Sequence, residues 1–178
     1  NNFVVKYPEL DVRLHLTNQV VNLIDEGFDL AIRLGNLDNS SMMAKRLTSR
    51  TQYVCASPTY LTKYGVPHSI SELDHHNCLK GTLDFWHFKE NNKVQNIRVK
   101  GNMSCNSGPA LVDAALKGIG IVQLPEYYVL PYIEQGQLTS LLEHSRAPDE
   151  GIWALYPNNR HLSPKIRMLI DYLKEELE

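Results

Sequence analysis

Residues 25–47 constrain the fold of this chain more than any other stretch. Gly27 stops whatever precedes it. An apolar run of Phe28, Leu30, Ala31, Ile32 and Leu34 follows, and Gly35 opens a polar loop ahead of the basic residues Lys45 and Arg46. A run this short, bounded by glycines, cannot form the stripe of an amphipathic helix and reads as a core strand over residues 28–34. Glycine at a strand end lets backbone approach a bound group, and open α/β sheets bind small molecules beyond such ends.

The flanking residues extend the pattern. Val12, Leu14 and Leu16 alternate with Arg13, His15 and Thr17, the period of two of a strand with one covered face. Asn18 is placed to cap a helix carrying Val20, Val21 and Ile24, ended by Gly27. With a further strand at 52–56, centred on Tyr53, Val54 and Cys55, this reads as a βαβ opening with parallel pairing and a right-handed crossover. Ser57-Pro58 opens a short helix that Gly65-Val66-Pro67 breaks, and a short turn begins at 71–73. A hairpin over 83–99 turns at Asn91-Asn92. Ser107-Gly108-Pro109 starts a helix with an apolar stripe of Leu111, Val112, Ala115 and Leu116. Gly118 to Val122 reads as a glycine stop and a buried strand, followed by a helix after Pro125 that Gly136 ends and a short strand at 137–141. Beyond the polar linker 146–150 come a strand at 152–156 and a closing helix. Ser163-Pro164 begins that helix, and Ile166, Leu169, Ile170, Leu173 and Leu177 form one face of it.

Composition narrows the function classes. At 178 residues, 43% hydrophobic and 21% charged, the chain can bury a substantial core. Its 18 basic residues are scattered among 20 acidic ones for a net charge of −2, so there is no electrostatic case for direct nucleic-acid binding, and no helix-turn-helix signature stands out. Three widely spaced cysteines, Cys55, Cys78 and Cys105, suit reduced thiols better than a disulfide scaffold. No apolar run is long enough to span a membrane. Residues 1–6 read as the tail of a helix already under way and lack the charged leader and apolar core of a secretion signal.

In order and spacing these segments resemble the effector-binding domain of LysR-type bacterial transcriptional regulators. The resemblance runs through Tyr7-Pro8 with residues 12–16, Asp29-Leu30-Ala31-Ile32-Arg33 with Gly35, and Ser57-Pro58-Thr59-Tyr60-Leu61 with Gly65 and Pro67. It continues through Leu73, His76, Cys78 and Leu79, then Gly118-Ile119-Gly120-Ile121 with Leu124-Pro125, then Tyr156-Pro157 and Arg160-His161-Leu162-Ser163-Pro164 with the last helix. It implies an α/β fold of two Rossmann-like subdomains, periplasmic-binding-protein-like of type 2, with a ligand cleft between them. The first subdomain would comprise residues 1–56 and 151–178, and the second 57–150. The family's first strand, most of its first helix and its DNA-reading module would lie outside this sequence. The implied protein is cytoplasmic and not an enzyme, senses a small polar or anionic effector, and assembles as a homodimer or homotetramer. It would reach promoter DNA only through the absent module, and no cofactor or membrane partner is implied. The competing reading is an exported solute-binding protein of a transporter, which shares a two-lobed cleft.

Candidate contacts follow from helix starts and strand ends. Residues 104–107 precede a helix whose free amides favour an anion, so Asn106 and Ser107 are candidate effector contacts, although Ser107 also fits a plain cap. Thr17, Asn18, Gly35 and Asn36 lie just beyond strand ends, and Gln123 and Leu124 end the strand after Gly120; capping, turn formation and strand burial are their ordinary alternatives. Arg33 fits a carboxylate partner such as Asp29 or Asp25, or solvent, as well as it fits a ligand. Gly118 and Gly120 stand in helix-to-strand order and form no dinucleotide fingerprint. His75-His76-Asn77-Cys78 superficially resembles a metal site but crowds its ligands, so structural roles are expected and no metal. Cys105 ahead of a helix could be a nucleophile, but the sequence places none of His15, His68 or His161 beside it as a base.

Overall fold

The structure is a computed structural model that describes residues 1–35, 37, 42–158 and 162–177. The expectations on Asn36, Arg160 and His161 lie outside those residues. The chain forms two compact units, Asn1–Ser49 with Glu150–Glu178, and Arg50–Asp149.

The second unit is built on strands buried on both faces. Its sheet has the order β4-β7-β3-β8, where β3 is Gln52–Ala56, β4 Cys78–Leu79, β7 Ile121–Pro125 and β8 Thr139–Leu141. Alternation along each strand divides two cores. Val54, Ala56, Cys78 and Ile121 face one side, with Tyr60, Leu61, Ile70, Leu73, Trp86 and Phe88. Cys55, Leu79, Val122 and Leu124 face the other, with Leu111, Val112, Ala115 and Val129. Helices α3, Gly108–Leu116, and α4, Glu126–Glu134, cover the second face. The first is covered by α2, Pro58–Tyr64, a 3-10 turn at Ile70–His75, and the hairpin of β5, Phe85–Glu90, and β6, Lys93–Arg98. Two-sided cover is why these strands read as continuous apolar runs rather than as alternation.

Local chemistry sets the ends. The Ser57 hydroxyl accepts the Tyr60 N–H at 3.4 Å and Pro58 occupies the first turn of α2. Asn91 and Asn92 have φ of 50° and 61°, the left-handed pair that a two-residue hairpin turn demands and that asparagine tolerates.

In the first unit, β9, Glu150–Pro157, lies between β1, Ala31–Leu34, and β2, Met42–Arg50. Helix α5, Pro164–Leu177, docks through the fully buried Ile170 with Ile166 and Leu173 against Leu47, Ile152 and Ala154. Phe3 of α1, Asn2–Lys6, is buried and meets Tyr172 of α5 edge-on at 5.3 Å.

Several expectations are corrected. Residues 12–16 pair with no strand among the described residues and form none, and Leu14 and Leu16 are 75% and 83% exposed. Alternation makes a strand only where a neighbour accepts its backbone and covers its apolar side. No helix starts at Asn18. A single turn is capped by Asn22, whose Oδ1 accepts the Ile24 N–H at 3.1 Å, and Gly27 closes it at φ 71°. The opening is not a parallel βαβ: β1 pairs antiparallel with β9, from the far end of the chain, and β2 was not foreseen. The strand at 52–56 belongs to the second unit through β7 and β8, so the first crossing falls at Ser49/Arg50 rather than after Ala56.

Candidate functional site

The second unit gathers three parallel segments with their carboxyl ends on one edge. β4 and β7 run parallel, and the backbone continues the pattern outward: Lys80 N–H donates to Met103 O at 3.0 Å, Cys105 N–H donates to Lys80 O at 2.9 Å, and Lys80 bridges Ser104 in parallel. Beyond these ends lie Gly81-Thr82, Asn106-Ser107 and the last residues of β7. This is the position where open α/β sheets present ligand-binding loops. Gly81 and Thr82 are additions that sequence reasoning missed, because no turn or helix signal marks them.

Asn106 and Ser107 are both exposed at the start of α3. Ser107 occupies the N-cap position with extended backbone, yet its side chain makes no cap hydrogen bond, so its hydroxyl is not committed to the helix. As in any first helical turn, the amides of Gly108 and Ala110 have no intrahelical partners, and Pro109 between them has no N–H. Gly108 is required sterically, since a Cβ there would sit 2.5 Å from the Tyr128 ring.

The end of β7 is spent structurally. Gln123 Oε1 accepts the His87 N–H at 2.9 Å and its Nε2 donates to His87 O at 2.8 Å, mimicking a backbone pair that holds β5. Leu124 is 6% exposed within the α3–α4 core. Both side chains have structural roles here, the Gln123 amide in holding β5 and Leu124 in the core.

In the first unit, Thr17 and Asn18 are exposed, and Thr17 Oγ1 accepts the Gln19 N–H at 3.1 Å in a local turn. Gly35 has φ 90°, donates its N–H to Gly151 O at 2.9 Å and accepts the Trp153 Nε1–H at 3.0 Å. A Cβ at Gly35 would meet nothing within 4 Å, so backbone conformation, not close approach, requires glycine there. Arg33 stands opposite Trp153 in the β1–β9 ladder, while Asp29 lies 3.6 Å from Lys165.

The segment that superficially resembles a metal site is a hydrogen-bonded hub. Asn77 Nδ2 donates to Ile119 O at 2.7 Å and Asn102 Oδ1 at 2.9 Å, and its Oδ1 accepts the Asn102 N–H at 2.9 Å. Its own N–H donates to the Tyr60 hydroxyl at 2.9 Å, which also meets His76 Nδ1 at 3.2 Å. Among the described residues no three His, Cys, Asp or Glu side chains group to hold a metal. Burial pushes the thiols of Cys55 and Cys78 up to about 12, whereas Cys105 is partly exposed. Thiolate is the reactive form, so a disulfide reagent at neutral pH should label Cys105 alone in the folded protein and all three cysteines in denaturant. Fast labelling of Cys55 or Cys78 under native conditions would contradict this packing.

The family model described as LysR substrate binding domain matches residues 1–178. The HTH-type transcriptional activator TtdR of Escherichia coli K12 is 34% identical over 172 residues, covering 94% of this chain and 55% of TtdR. An HTH-type transcriptional regulator of Haemophilus influenzae is 32% identical over 168 residues, covering 92% of this chain and 58% of that protein. This chain therefore spans little more than half the length of the curated relatives it matches. The regulatory domain of CrgA, a LysR-type transcriptional regulator from Neisseria meningitidis, superposes with a TM-score of 0.84 at 31% identity, covering 99% of this chain and 89% of that one. Full-length AphB, the Vibrio cholerae virulence activator, gives 0.84 at 26% identity, covering 99% of this chain and 62% of AphB. No described helix is long and apolar enough to cross a membrane. The mixed α/β units are those of the periplasmic-binding-protein-like type 2 fold, and the chain belongs to the LysR substrate-binding domain family.

Proposed function

We propose that this chain is the effector-sensing and oligomerisation domain of a cytoplasmic LysR-type transcriptional regulator that binds a small polar or anionic metabolite. DNA contact belongs to another part of the same polypeptide, and the domain assembles as a dimer or tetramer. The observation that carries the ligand class is the start of α3, where an exposed Ser107 hydroxyl that caps nothing adjoins helix amides without intrahelical partners at the carboxyl edge of parallel strands. Asn106 and Ser107 are the proposed contacts of the second unit, and Thr17, Asn18, Gly35 and Asn36 those of the first.

Calorimetry with a panel of small carboxylates and their neutral amides tests this. A carboxylate should bind and its amide should not. Ser107→Ala and Asn106→Ala should each weaken binding by about 1.5–3 kcal/mol, ten-fold or more. Because the Ser107 hydroxyl caps nothing, Ser107→Ala should change stability by less than about 0.5 kcal/mol. Unchanged affinity in both variants would move the site away from α3.

A further inference from the structure

We infer that His76 is a positioning residue for the start of α3, acting through the Tyr60 hydroxyl and Asn77 so that the proton on its ring sets the placement of residues 102–107. The inference rests on the reading of that segment as effector-binding, but the coupling itself stands on contacts within the second unit. His76 ends the 3-10 turn, and its Nδ1 lies 3.2 Å from the hydroxyl of Tyr60. That hydroxyl accepts the Asn77 N–H and has one hydrogen to give, which the Nε2-protonated tautomer of the neutral ring receives at Nδ1. Asn77 in turn holds Asn102 through both side-chain atoms, and the segment after Asn102 is laced to Lys80 up to Cys105, one residue before Asn106.

Protonation reverses the first link. An imidazolium donates from Nδ1, so the Tyr60 hydrogen must find a new acceptor in a wall where Tyr60 is 2% exposed. The strain falls on the Asn77 N–H bond to the same oxygen. The titratable groups around the ring and its hydroxyl partner are Tyr60 and Tyr64 of α2, Glu72 and His75 of its own segment, and Cys78 of β4. Burial holds Tyr60 and Cys78 protonated. The His68 N–H and the Ser69 hydroxyl hold the Glu72 carboxyl below its usual range and so ionised. His76 is left as the group of this cluster whose charge the inference concerns. Burial, which outweighs the Glu72 carboxylate, moves His76 below its ordinary value.

The test is a nitrogen-15 NMR titration of the whole chain from about pH 8 to about pH 5. The amides of Asn77, Asn102, Asn106 and Ser107 should shift with the midpoint of the His76 ring, and that midpoint should lie below the ordinary histidine value. In Tyr60→Phe the ring should still titrate while the distal amides lose their step. In His76→Gln the step should vanish, and in His75→Gln it should persist. Distal amides that stay flat in the unaltered protein overturn the inference, as does a step retained in either Tyr60→Phe or His76→Gln. Should Tyr60→Phe fail to fold, His76→Gln decides alone. Effector affinity at fixed pH tests the binding site separately, so the two readings can fail independently.

Discussion

Replacing Phe88 by alanine is expected to lower the unfolding free energy by about 3–5 kcal/mol, the range for truncating a buried aromatic. Phe88 is 1% exposed and sits with Trp86 in the core beneath β5. The hairpin it belongs to is a separate two-stranded ribbon, and such a ribbon is marginal by itself in water. It stays in place because Trp86 and Phe88 enter the core and because the Gln123 amide grips the His87 backbone. Phe88→Ala therefore both opens a cavity and loosens the hairpin's main hold on the core. Lys89→Ala, one position along and exposed, should stay within about 0.5 kcal/mol. Urea unfolding of the three proteins decides it. A loss under about 1 kcal/mol for Phe88→Ala would mean that this face of the sheet is not a packed core.

That hairpin also marks what can be read from sequence. Asn91-Asn92 announces itself because a turn with two left-handed residues accepts few side chains, and Ser57-Pro58 announces α2 because a hydroxyl cap and a proline fit only a helix start. Such signals are local. β9 inserting antiparallel between β1 and β2 is not local, since a strand's apolar pattern is the same whichever neighbour it finds. Residues 12–16 show the converse failure, a correct period with no strand beside it among the described residues. β2 was missed because its sequence, MMAKRLTSR, has no clean period and only Leu47 fully buried. At the candidate site, Asn106 and Ser107 were legible from the helix start. The use of Gln123 as a false backbone pair and of Asn77 as a hub was not, because an amide side chain carries no trace of which carbonyl it will meet.

Gly101 carries the other large effect and links the fold to the proposed site. A Cβ at Gly101 would lie 2.0 Å from Cys78 O, 2.7 Å from Cys78 C and 3.0 Å from Asn77 Oδ1, with backbone as the main obstacle. A methyl group there must drive apart two segments joined by Cys78 N–H to Lys100 O at 2.9 Å, Asn102 N–H to Asn77 Oδ1 at 2.9 Å and Lys80 N–H to Met103 O at 3.0 Å. Overpacking costs about 1–3 kcal/mol, and each strained hydrogen bond adds about 1 kcal/mol, so Gly101→Ala should destabilise the protein by about 2–4 kcal/mol. The displaced segment carries Asn106 and Ser107 at its end, so effector affinity should fall at least about ten-fold in the fraction that remains folded. Gly81 is the control. It too borders the carboxyl end of β4, but its φ is not positive and a Cβ there meets nothing within 4 Å, so Gly81→Ala should leave stability nearly unchanged. Equal unfolding midpoints for the two variants would show that the close approach at Cys78 is not what fixes this edge. A Gly101→Ala protein that is destabilised yet binds with full affinity would separate this backbone contact from the site.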